Sequence, residues 1–112
     1  MASLSKTNLP KTVTSKATPL MKPVLKISVS CEIVNIKGLH ARAAARIVTT
    51  ANKFDSTVTV SHKENTAPAN SLIKLLTLNA PKGSVLVFDS EGDDCIRVSE
   101  ALKLLVTSGF DE

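Results

Sequence analysis

"KISVSCEIVNIKGLHARAAARIVTTA", residues 26–51, changes its period once, and the fold is decided at that change. Up to Val34 the stretch alternates. Ile27, Val29, Cys31 and Ile33 point one way and Ser28, Ser30 and Glu32 the other, the pattern of a strand covered on one face. "NIKG" then turns the chain. From Ala41 small apolar residues recur at Ala41, Ala44, Ala45, Val48 and Ala51, which makes a narrow helical stripe able to lie close on a sheet. His40 stands at the first step of that helix.

The same two periods alternate through the rest of the chain. "STVTV" (56–60) is a second strand with Val58 and Val60 on one side, and "HKENTAPA" (62–69) passes through a turn into a weak edge strand, where Pro68 is tolerated. "NSLIKLLTL" (70–78) is a short helix with Ser71 as its N-cap. "GSVLVFDS" (83–90) is a strong strand. "EGDDCIRVSEALKLLVTSG" (91–109) closes as a helix, with Asp93 and Asp94 at its positive end, Ile96, Val98, Ala101, Leu102, Leu105 and Val106 as its apolar stripe, and Gly109 after it. The order is βαββαβα. Three amphipathic helices that all need cover should gather on one face of a single antiparallel sheet, giving an open-faced α+β sandwich.

At 112 residues and 43% apolar content the chain supports one modest core. Its 14 basic residues exceed its 10 acidic ones, but Lys6, Lys11, Lys16 and Lys22 account for the whole excess. Residues 24–112 form the expected domain and are neutral. Residues 1–23, rich in Ser, Thr, Lys and Pro with no repeating apolar face, read as a disordered basic arm or as a misplaced start ahead of Met21. A neutral domain with three Phe and no Tyr or Trp is poor material for nucleic-acid binding. No stretch approaches the roughly 20 apolar residues of a membrane span, so a soluble protein is expected, and the cysteines suggest a reducing cytoplasm. Cys31 and Cys95 lack CxxC spacing and are expected as reduced thiols.

The chemistry has few places to reside. There are two histidines, His40 and His62, and no glycine-rich phosphate loop. Two scattered histidines and two scattered cysteines lack the spacing for a metal site, and no cofactor is implied. His62, at a strand end near a polar turn, is assigned a structural place on the surface. His40 differs because the first amides of the helix behind it have no carbonyl partners and point outward, with the positive end of the helix dipole behind them. Arg42 adds a permanent charge and Arg46 reinforces it one turn on. Both the dipole and the guanidinium disfavour imidazolium, which predicts a neutral ring whose lone pair faces an anion-sized pocket. Such a ring is a nucleophile suited to phosphoryl transfer.

"GLHARAAARIVTTANKF" (38–54) resembles the active-site segment of the HPr family of the bacterial phosphotransferase system, which includes HPr and its nitrogen-branch relative NPr and usually reads GLHxRPA before a helix. The likeness continues through "NSLIKLLTL", similar to the segment around the family's regulatory serine, and through "GSVLVFDSEGDD" (83–94) into the last helix. The resemblance implies the βαββαβα fold and a phosphocarrier, with His40 as acceptor at Nδ1 and Arg42 as phosphoryl stabiliser. It implies Ser71 as the serine modified by an HPr kinase/phosphorylase in some bacteria. It implies Leu72, Ile73, Lys74 and Leu76, with Arg46 nearby, as the docking surface for enzyme I and enzyme II A domains. Leu72 and Ile73 are expected to be partly exposed, with Leu76 left open between core and surface. A monomer without independent turnover is expected, the alternative being a regulatory relative that only binds partners. Ala43 departs from the motif, standing where the family usually has proline.

Overall fold

The computed structural model describes residues 25–112; the expected arm, residues 1–23, lies outside the described residues. Strand β1 (Lys26–Glu32) leads into helix α1 (Ala41–Ala51). Strands β2 (Thr57–His62) and β3 (Asn65–Pro68), helix α2 (Leu72–Leu76), strand β4 (Val85–Glu91) and helix α3 (Cys95–Thr107) follow. The strand order is β1-β4-β2-β3, with every pairing antiparallel. β4 is central. It pairs Lys26 with Glu91 on one side and Thr57 with Glu91 on the other, so β1 and β2, separated in sequence by α1, are brought level. β3 is an edge strand, as β1 is on the other side, and Pro68 closes β3 where its missing donor costs no ladder bond.

Alternation decides the two faces. Cys31, Val58, Val60, Leu86 and Phe88 are buried beneath the three helices, while Ser28, Ser30, Thr57 and Asp89 belong to the opposite, open face. Three expectations need correction. On α1 the buried residues are Ala43, Ala44, Ile47 and Ala51, with Ala41 and Ala45 exposed. Ile47, the bulkiest apolar side chain in the helix, sets the phase, and its neighbours three and four residues away follow it inward. On α3 Ile96 is exposed and Cys95 takes the buried place before Val98. His62 is buried, not on the surface; its Nδ1 lies 3.0 Å from the Leu78 carbonyl oxygen, which gives the ring a structural partner in the loop after α2.

The loop between α2 and β4 also supports the turn before α1. Gly38 has φ +68, and a Cβ there would stand 2.6 Å from the Ala80 carbonyl oxygen and 2.8 Å from Pro81 Cα. Only glycine fits both the sign of φ and the space. The Leu39 amide donates to the Ala80 oxygen at 2.8 Å, so the residue before His40 is fixed by the backbone and by the buried Leu39 side chain.

At its far end the chain folds back. Gly109 (φ +74) ends α3, the Phe110 amide donates to the Leu105 oxygen at 2.8 Å, and Phe110 is fully buried. This plug brings Asp111 and Glu112 beside the start of α1. Cys31 and Cys95 are free and buried, and burial pushes the Cys31 thiol up despite the opposing charge of Lys103. Among the described residues no helix is long and apolar enough to cross a membrane.

Candidate functional site

His40 is the N-cap of α1, with extended backbone (φ −108, ψ −177). Its carbonyl oxygen accepts from the Ala44 amide at 2.8 Å, the first bond of the helix. Its side chain caps nothing. The amides of Ala41, Arg42 and Ala43 therefore remain the unsatisfied donors that every helix start presents. The ring is 27% exposed, so it has a route to solvent.

Both ring nitrogens face acceptors. Nδ1 lies 3.2 Å from the Gly38 carbonyl oxygen, and Nε2 lies 2.7 Å from Oε2 of Glu112. The sequence predicts a lone pair turned toward the helix amides; in the resting site Nδ1 is turned to a carbonyl instead. The cause is tertiary. Glu112 reaches the ring from the far end of the chain, and Asn35 ties the two together, its Nδ2 donating to Gly38 O at 2.9 Å and to Glu112 Oε1 at 3.1 Å.

Arg42 is exposed, and among the described residues it makes no ion pair. Arg46 is half-buried, with Nη1 3.6 Å from Asp111 Oδ2. Together with Lys53, Leu105 and Asp111 these two arginines line an open groove of about 300 Å³ along α1. His40, Arg42 and Arg46 thus share one helix start, as the sequence predicts. Asn35, Asp111 and Glu112 were missed. Asn35 carries only the signal of a turn residue, and nothing local ties two acids at residues 111 and 112 to a histidine more than seventy positions earlier.

α2 packs against α1. Ser71 is its N-cap, with Oγ accepting from the Lys74 amide at 3.3 Å. Leu75 alone in the helix is buried, while Leu72, Ile73 and Leu76 are 39%, 75% and 37% exposed and Lys74 is exposed with them. One helical turn therefore presents three apolar side chains and a cation to solvent, including Leu76. A five-residue helix anchored by one leucine has no interior need for the other three.

An open-faced βαββαβα sandwich whose first helix begins at a partly exposed N-cap histidine, with an arginine two residues on that makes no ion pair among the described residues, defines a class of small domain built around a histidine at a helix start. Comparisons with known proteins agree. A family model described as the PTS HPr component phosphorylation site matches residues 27–108. The phosphocarrier protein HPr of Neisseria meningitidis serogroup A is 36% identical over 83 residues, covering 74% of this chain and 93% of that protein. The phosphocarrier protein NPr of Shewanella violacea is 34% identical over 87 residues, covering 78% and 96%. The crystal structure of HPr-C-His from Thermoanaerobacter tengcongensis superposes with a TM-score of 0.73 at 38% identity, covering 77% of this chain and 97% of that one. The chain belongs to the HPr family of phosphotransferase-system phosphocarriers.

Proposed function

We propose that the protein is a histidine phosphocarrier that accepts a phosphoryl group on Nδ1 of His40 from phospho-enzyme I and passes it to enzyme II A domains. The observation that carries this reading is the N-cap placement of His40, with its ring partly exposed beside helix amides that no side chain caps. In the transfer the Nδ1 lone pair attacks phosphorus, an N–P bond forms, and the donor's bond to phosphorus breaks with its electron pair left on the donor. Before this the ring must turn Nδ1 away from Gly38 O. The incoming oxygens then meet the amides of Ala41 to Ala43, and Arg42 adds its charge.

Carriers need modest stabilisation, because what is bound must be given up. Helix-end effects of roughly 0.3–2 kcal/mol change the equilibrium by up to about thirtyfold and leave the transfer reversible. The partner supplies the rest, docking on Leu72, Ile73 and Leu76 with Lys74 and Arg46 around them. Modification of Ser71 by an HPr kinase/phosphorylase would place nearly two negative charges beside that patch and repel an acidic partner.

The test is incubation with phosphorylated enzyme I and analysis of the label. Acid-labile phosphate on the native chain and none on His40→Gln supports the reading. A native chain that takes no label while still binding enzyme I would leave the regulatory, partner-binding alternative. Relatives named HPr and NPr match at 36% and 34% identity, so acceptor domains of both the sugar and nitrogen branches belong in the assay.

A further inference from the structure

Three groups meet around the His40 ring that the phosphocarrier reading leaves unused: the Gly38 carbonyl, the Asn35 amide and the Glu112 carboxylate. We propose that Glu112, held by Asn35, is a positioning residue that keeps the one proton of the neutral His40 ring on Nε2 and so places the lone pair on Nδ1. The inference deepens the phosphoryl-acceptor reading and rests on it.

A neutral imidazole has one N–H and one lone pair, and the environment chooses which nitrogen holds which. Here the two acceptors are unequal. On the Nε2 side stands a carboxylate at 2.7 Å, the length of a charge-assisted bond. On the Nδ1 side stands a neutral carbonyl at 3.2 Å, whose two lone pairs are already taken by Asn35 Nδ2 at 2.9 Å and by the His40 backbone amide at 3.1 Å. A third donor is surplus. Charge-assisted bonds are roughly twice as strong as neutral ones, which converts to a preference of about tenfold for the proton on Nε2.

Asn35 shows that this arrangement is imposed. Its side chain is buried, and its Oδ1 has no hydrogen-bond partner. Turning the amide over would aim that oxygen at Gly38 O and at the Glu112 carboxylate, two acceptors, so the residue leaves one polar atom unsatisfied to keep Nδ2 on both. One oxygen of Glu112 is thereby fixed and the other is aimed at the ring. The same geometry serves the step that follows. Once the N–P bond has formed with the proton still on Nε2, the ring carries a positive charge that the carboxylate neutralises.

Long-range ¹H–¹⁵N correlation spectra of the His40 ring in the unphosphorylated full chain read the tautomer directly, at a pH where a titration shows the ring to be singly protonated. The native chain is expected to be predominantly Nε2–H. Glu112→Ala is expected to lower the Nε2–H to Nδ1–H ratio about tenfold, and Glu112→Gln, which retains a neutral acceptor, to fall between. An Ala variant with the native ratio overturns the proposal whatever the chain does with phospho-enzyme I. A native chain that shows the tautomer shift but takes no label overturns the carrier function and leaves the ring orientation standing.

Discussion

At the scale of single residues, Gly38 (φ +68) turns the chain and the amides of Ala41 to Ala43 stay free behind His40. Gly38, His40 and Arg42 announce themselves by spacing, because a glycine turn followed by a helix start exposes amides whatever the rest of the chain does. The partners of the ring come from Glu112, and no periodicity connects residue 40 to residue 112. Ala43 is the residue where the family pattern itself is broken. It is the third residue of α1, its side chain is buried, and its amide is one of the three free donors at the helix start. Proline there would fix φ at a helical value and remove that donor. Ala43→Pro is therefore expected to raise the unfolding free energy by about 0.4–1 kcal/mol through the unfolded chain, read from urea denaturation. Loss of one helix-end donor, worth about 0.3–1 kcal/mol, should keep the rate of label transfer from phospho-enzyme I within about tenfold of native. A rise of several orders of magnitude would mean that the native site is largely inactive.

At the scale of elements, periodicity in the sequence marks the helices and strands but leaves the phase of α1 open. The alanines of α1 suggest one stripe, whereas burial follows Ile47, the side chain with the most apolar area to remove from water. The five residues of α2 leave little freedom: Leu75 goes in and the others stay out. Ser71 stands where two roles compete, and substitution separates them. As a cap its hydroxyl is exposed and its bond to the Lys74 amide is long at 3.3 Å, so Ser71→Ala should cost about 0.5 kcal/mol, the low end of cap losses. Ser71→Asp keeps an acceptor at the cap and adds charge at the favourable end of the helix, so thermal denaturation should show no loss of stability. That charge also lies beside Leu72 and Ile73. Transfer from phospho-enzyme I to the Asp variant is expected to fall by tenfold or more with the fold intact; undiminished transfer would detach Ser71 from docking.

At the scale of the whole molecule, the sheet and its one-sided helical cover follow from patterning, while the order β1-β4-β2-β3 depends on contacts between distant segments. Asp94 shows how such contacts close the fold. Sequence assigns it to the positive end of α3, and it is the N-cap of that helix, yet its side chain does not cap it. The carboxylate instead accepts from the Ser56 hydroxyl and, at 2.9 Å each, from the amides of Ser56 and Asp55, joining the start of α3 to the loop that leads into β2. Gly92 makes room for this, since a Cβ there would stand 2.9 Å from Ser56 Cα. The Ser56 hydroxyl first, then the Asp55 amide, hold the Asp94 carboxyl below its ordinary value. A folded-state value below the unfolded one, about 3.9, means that the stabilisation is complete above that pH and is lost as pH falls through the folded value. Asp94→Asn removes the charge and this dependence together. Urea midpoints for the native chain and Asp94→Asn should therefore differ by a constant amount from about pH 7 to pH 5 and converge below about pH 4; a gap as wide at pH 3 as at pH 7 would show that the carboxylate is not what ties α3 to β2.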